Sequence, residues 1–160
     1  MKIKGQKNRY PYEHQHNSQN QTVSRDFEIG VKKWFENKYH MEFERNSSFS
    51  IGNPPKAHRF DVVSEDKLIV AECKCYTWTE TGNIPSAKMG SVNEAVFYLS
   101  FINDADTYVV LKKSMHPKRS ETLAEYYYGA NKHLLGHTEV LEFDADMGIM
   151  RKMGTVPDVF

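Results

Sequence analysis

The apolar pattern is densest at Leu68-Ile69-Val70-Ala71, which runs directly into Glu72-Cys73-Lys74-Cys75-Tyr76. A continuous apolar run of this kind predicts a strand buried on both faces. Strands are expected over 57–64 and 67–76, and polar Ser64-Glu65-Asp66-Lys67 between them is a hairpin-length connection. Upstream, Val23, Phe27, Val31, Trp34 and Phe35 recur with a 3.6-residue period and predict a helix over 23–39, with Ser24 as N-cap. Met41-Glu42-Phe43-Glu44-Arg45 alternates as a first strand, continuing through Phe49 and Ile51 after a kink, and Gly52-Asn53-Pro54-Pro55 is a turn. Downstream, Met89, Val92, Ala95, Val96, Leu99 and Ile102 share one helical face. That helix starts either at 86 or at 91, where Ser91-x-x-Glu94 resembles a capping box. Residues 106–111 form a fourth strand, parallel to the third across the helical crossover. A helix over 120–135 with Leu123, Tyr126, Tyr127, Ala130 and Leu134 on its buried side, ended by Gly136, leads to a last strand over 138–143. The expected order is α-β-β-β-α-β-α-β, an α/β fold over residues 23–144. Residues 1–22 are polar and read as a mobile arm, and the tail 145–160 shows no placeable pattern.

A chain of 160 residues supports one domain with a real core. No apolar run approaches a membrane span, and Met1-Lys2-Ile3-Lys4 has no apolar signal region behind it, so a cytoplasmic protein is expected. Cys73 and Cys75 lie on one face of one strand, which disfavours a disulfide and reads as core packing. Net charge is 0, which counts against a dedicated nucleic-acid binder, but the charges are sorted along the chain. Lys112, Lys113, Lys118 and Arg119 sit in a segment without acids, whereas residues 121–160 carry seven acids and three basic residues. A basic face is compatible with that sorting.

The candidate chemistry follows from strand alternation. Glu72, Lys74 and Tyr76 share one face of the third strand, and Ala71, Cys73 and Cys75 share the other. A buried strand rarely tolerates an acid and an amine unless they pair or bind something. Antiparallel pairing brings Asp61 of the second strand towards Glu72 and Lys74. Two carboxylates and an amine in one place can hold a divalent cation and activate a water; the bland reading is an ion pair that only joins two strands. Glu28 borders the apolar stripe of the first helix, where it either leans towards the sheet or pairs with Lys32 at the rim. The loop 77–85 opens beside the site, and its Trp78 either stacks on a base or covers the core edge. Lys88 stays in that loop if the following helix starts at 91. His14 and His16 are metal or phosphate ligands on one reading and part of a solvated tail on the other.

The element order together with Asp61 and Glu72-Cys73-Lys74 resembles the PD-(D/E)XK nuclease superfamily, the restriction-endonuclease-like fold, over roughly residues 23–111. Phe27-Glu28 is similar to the helical acid of its Holliday-junction-resolvase and restriction-type branches. The resemblance implies a three-layer α/β/α core around a mixed sheet, with 23–144 as a nuclease-like domain. It implies Asp61, Glu72 and the Cys73 backbone carbonyl as ligands of Mg²⁺, with Mn²⁺ able to substitute. Lys74 would orient or activate the attacking water, and Glu28 would be an accessory acid. Phe60 stands where the family's name has Pro, and the helix after the site lacks a Gln-x-x-x-Tyr motif, which disfavours the exonuclease-like branches.

The function implied is a divalent-metal-dependent endonuclease cutting DNA, of restriction, repair or junction-resolving type. Lys88, Lys112, Lys113, Lys118, Arg119 and Trp78 are candidate nucleic-acid contacts. Duplex cutting implies a homodimer, with Tyr126-Tyr127-Tyr128 as a candidate interface patch or as half core and half surface. The alternative is a non-catalytic module on the same fold that binds nucleic acid or a partner subunit. A hydrolase of small substrates would need a deep closed pocket.

Overall fold

A computed structural model describes residues 12–155, with side chains from Gln21 onward. The architecture is α/β, and the described residues form three α-helices and one six-stranded mixed sheet. The strands are β1 (Phe43–Ile51), β2 (Lys56–Ser64), β3 (Ile69–Lys74), β4 (Asp106–Lys112), β5 (Glu139–Asp144) and β6 (Ile149–Lys152), and they neighbour one another in chain order. Pairing is antiparallel from β1 to β3, parallel from β3 to β5, and antiparallel again for β6. Ile69–Ala71 of the apolar run thus lie inside the sheet, between a hairpin partner and a parallel partner, whereas Leu68 is exposed just before β3, and the strand expected over 67–76 ends at Lys74. No described helix is long and apolar enough to cross a membrane.

Helix α1 (Tyr12–Tyr39) covers one face of the sheet. Phe27, Val31 and Phe35 pack there against Val62, Ala71, Cys73, Val110 and Leu141. Helices α2 (Ser86–Leu99) and α3 (Leu123–Asn131) cover the other face, where Met89, Val92, Leu123 and Tyr127 meet Val109, Leu111 and Val140. Alternation along β3 explains the split: Ala71 and Cys73 face α1, while Val70 belongs to a cluster with Leu99 and Ile102.

The β1–β2 ribbon turns over part-way along. Phe43 and Val62 pack on the α1 side, yet Phe49 and Phe60, an even number of residues away, pack with Leu99. Strict alternation forbids this unless the ribbon twists between them. The twist point is the position where Asn46 would face Asp61. It is missing from the otherwise continuous register, and Asn46 has φ +55°, a left-handed conformation that Asn tolerates.

Several boundaries differ from the sequence expectation. Helix α1 begins at Tyr12, so it takes in part of the stretch read as an arm; residues 1–11 and the side chains of His14 and His16 lie outside the described residues. Val23 is exposed, and Ser24 lies within α1 rather than capping it. Helix α2 starts at Ser86, and the Ser91 hydroxyl donates to the Ala87 carbonyl inside it, so Ser91 is no cap. Helix α3 starts after Thr122, whose side chain accepts from Glu125 N–H, and it passes into a 3-10 turn over Lys132–Leu134. Ala130 and Leu134 are therefore solvent-facing, and Leu135 is buried instead. Tyr127 belongs to the core and donates to Asn93 Oδ1, with Tyr126 and Tyr128 half-buried beside it.

The tail 145–160, unplaced from sequence, supplies β6; residues 156–160 lie outside the described residues. Arg151 of β6 binds Glu142 at 2.9 Å and Glu125 at 2.9 Å, tying β5, β6 and α3 together. Glu142 is buried, and Arg151 is the cation that compensates it. Arg151→Met is expected to destabilise the protein by about 2–4 kcal/mol, because a covered carboxylate loses its partner. Denaturant midpoints of the variant and the wild type measure this, and a change within experimental error would show that Glu142 needs no partner.

Candidate functional site

Asp61 lies where the sheet comes apart. The β2–β3 ladder ends at Val62↔Ala71. Its next hydrogen-bonded pair would join Cys73 to Phe60. Instead Cys73 N–H donates to Asp61 Oδ2 at 2.8 Å. The carboxylate thus fills the gap that the twist at Asn46 opens. In an extended strand the Cys73 carbonyl points to the same side as its N–H, so it too is directed at this gap.

Glu72 stands beside Asp61 and is only 8% exposed. Its Oε1 is buried without a hydrogen-bond partner among the described residues. Burial, then the charge of Asp61 and a hydrogen bond with it, push the Glu72 carboxyl up to about 9, against the opposing pull of Lys74. The Glu72 carboxyl therefore favours its protonated form at neutral pH when no cation is bound. Lys74 is close enough to influence Glu72 and Glu28, but it forms no ion pair with an acid among the described residues. Its Nζ lies 6.0 Å from the centre of the Tyr76 ring, and Lys88 Nζ lies 5.4 Å from the same centre. The Lys74 ion pair that would merely join strands is therefore not formed.

Glu28 leans towards the sheet. It lines the same cleft as Asp61, Glu72 and Lys74, a space of about 250 Å³. Its partner is Arg45 of β1, whose Nη2 donates to Glu28 Oε2 at 2.7 Å, while Lys32 pairs with Glu36 instead. Burial raises the Glu28 carboxyl from its ordinary value, with Asp61 adding to the rise and Arg45 and Lys74 resisting it. Sequence reasoning passed over Arg45, although alternation sets it on the face of Phe43 and marks it as an inward-facing cation.

The candidate nucleic-acid contacts divide. Lys88 sits on the first turn of α2 and reaches the site through Tyr76. Lys112 also approaches: with Lys88 it opposes the upward push of burial on the Cys75 thiol. Lys112 and Lys113 line a wider groove of about 600 Å³ that shares Phe27 and Cys75 with the carboxylate cleft. Asp26, Asp144 and Asp146 line it too, and Lys113 pairs with Asp144 at 3.6 Å, so this groove is not uniformly basic. Lys118 is exposed. Arg119 is held by Glu121 at 2.8 Å and lies 5.2 Å from the Trp78 ring centre. Trp78, only 6% exposed, packs against His116 and Tyr126. It covers the core edge and offers no free face for a base, which corrects its place among the candidate contacts.

Among the described residues no three His, Cys, Asp or Glu side chains gather as a metal-holding group. The hard oxygens available to a cation are Asp61, Glu72 and the Cys73 carbonyl. A sparse set of this kind suits Mg²⁺, which keeps several of its own waters, and the orphaned Glu72 Oε1 is a buried acceptor in want of a positive partner. The sequence matches no protein-family model and no curated protein significantly.

Proposed function

We propose that the chain is a divalent-metal-dependent endonuclease of restriction-endonuclease-like fold that hydrolyses DNA phosphodiester bonds. The observation that carries this reading is the Asp61/Glu72 pair at the opened β2–β3 ladder, where, among the described residues, a buried Glu72 oxygen has no hydrogen-bond partner and the Lys74 amine beside it forms no ion pair. A pair that only joined strands would be better satisfied. Asp61, Glu72 and the Cys73 carbonyl would hold Mg²⁺ or Mn²⁺. That ion, when bound, supplies a polarised phosphate oxygen and a more acidic water. Cys73 N–H fixes the Asp61 carboxylate, so its geometry is set before substrate arrives. Lys74 places positive charge where negative charge gathers on the phosphate and can orient the attacking water. Glu28 would accept a hydrogen bond from that water. Lys88, from the neighbouring helix, offers a second positive charge to the strand being cut. The substrate faces an open cleft rather than a closed pocket, which suits a polymer.

Cleavage of linear, supercoiled, branched and single-stranded DNA with Mg²⁺, Mn²⁺ or EDTA tests the reading. Wild type is expected to cut at least one form only with metal, and Lys74→Ala to lose about a hundredfold of that rate while still binding metal. Absence of cutting on every form, with no metal bound, would sink the proposal. The zero net charge favours a second reading, a non-catalytic module that binds nucleic acid or a partner subunit; it predicts DNA retention without cleavage and equal retention by Lys74→Ala.

A further inference from the structure

Glu28 enters the cleft with one oxygen already engaged. Its Oε2 accepts from Arg45 Nη2 at 2.7 Å, and the two side chains are 19% and 25% exposed. Arg45 lines no part of the cleft and stands behind Glu28 on β1, one residue before the twist point at Asn46. Among the described residues its only ion-pair partner is Glu28, and its Nε is already buried without an acceptor. Glu28, Asp61, Glu72 and Lys74 thus line one cleft, although the three acids do not close on a common point, and Arg45 is tied to that cleft through Glu28. For Glu28 to bind a metal through Oε2, it would have to leave a charge-assisted hydrogen bond and strand a largely covered guanidinium.

We propose that Arg45 is a positioning residue that holds Glu28 beside the Asp61/Glu72 pair but off the cation. Asp61 and Glu72 would then hold one divalent ion, and Glu28 would be left to accept a hydrogen bond from water in the cleft. This inference rests on the metal-site reading above and assigns a division of labour among its acids. Without Arg45, Glu28 is free to turn in as a third carboxylate ligand.

Mn²⁺ titration of the full chain, followed by electron paramagnetic resonance, tests this without any measure of cleavage. The proteins are wild type, Glu28→Gln, Arg45→Gln and the double variant. In the wild-type background Glu28→Gln is expected to weaken Mn²⁺ binding by less than about fivefold, the effect of a nearby charge. In the Arg45→Gln background the same change is expected to weaken it by about tenfold or more, the effect of losing a ligand. Equal effects in the two backgrounds would overturn the inference, because lost repulsion from Arg45 alone gives no such coupling. A tenfold loss from Glu28→Gln in the wild type would also overturn it, since Glu28 would then be a ligand already. Should Arg45→Gln fail to fold, Arg45→Met takes its place: it keeps the length of the side chain and removes the charge that holds Glu28, so the same tenfold effect of Glu28→Gln is expected, and equal effects in the two backgrounds again overturn the inference. Wild type that binds no Mn²⁺ defeats the metal reading and this inference together. Binding that Asp61→Asn abolishes, without coupling between Glu28 and Arg45, defeats this inference alone.

Discussion

Asp61→Asn and Glu72→Gln are each expected to lower metal-dependent DNA cleavage by about a thousandfold or more while leaving the protein folded. The first removes half of the charged oxygen set. The second removes the buried acceptor that has no other partner. Neither change removes a group that holds the fold. In Asp61→Asn the amide oxygen can still accept the Cys73 N–H that Asp61 Oδ2 takes at 2.8 Å. In Glu72→Gln the new amide copies the shape of the protonated Glu72 carboxyl that burial favours. Rates on the best DNA substrate, with thermal unfolding of the same preparations, separate lost chemistry from lost structure. Full activity in either folded variant would show that the pair is not the reacting centre.

The centre of this arrangement is legible in the sequence because its signal is local. Ile69–Ala71 demands burial and is buried, although Leu68 before it is exposed, and the next residues put Glu72 and Lys74 on one face whatever the rest of the chain does. Hairpin spacing then sets the second strand antiparallel, with Asp61 near Glu72. What stays hidden depends on distant partners or on competing local signals. Ser91-x-x-Glu94 is a fair cap, but burial of Met89 extends α2 back to Ser86, and Pro85 precedes it without any side-chain cap. The tail around Arg151 has little period of its own; it becomes a strand because β5 offers an edge and buried Glu142 needs a cation. The turn-over of the β1–β2 ribbon at Asn46 needs the register of both strands. Trp78 carries two readings because a loop aromatic looks alike from sequence whether His116 and Tyr126 enclose it or solvent does.

Metal-free protein is expected to lose stability steadily as pH rises from about 4.5 towards 9, and Glu72→Gln is expected to remove most of that slope. The Glu72 carboxyl has an ordinary value of 4.5 in the unfolded chain and is raised in the fold to about 9. Below the unfolded value both states are protonated, and the folded preference is fully present. Between the two values the unfolded chain releases the proton while the fold keeps it, so each rise in pH favours unfolding. By pH 7 the loss amounts to about 3 kcal/mol, taking about 1.4 kcal/mol per pH unit. Glutamine has no proton to release, so the variant should exceed wild type by a similar amount at about pH 7 and match it near pH 4. On the proposed metal-site reading Mg²⁺ is expected to act against the slope: it would bind the ionised pair, and its stabilisation would grow with pH because each binding event competes with the retained proton. Urea unfolding across roughly pH 4–9, with EDTA and then with excess Mg²⁺, reads both effects on one axis. Parallel curves for wild type and Glu72→Gln would mean that Glu72 is already ionised in the fold. Lys74 would then be its counter-charge, and the amine would no longer be free for a phosphate.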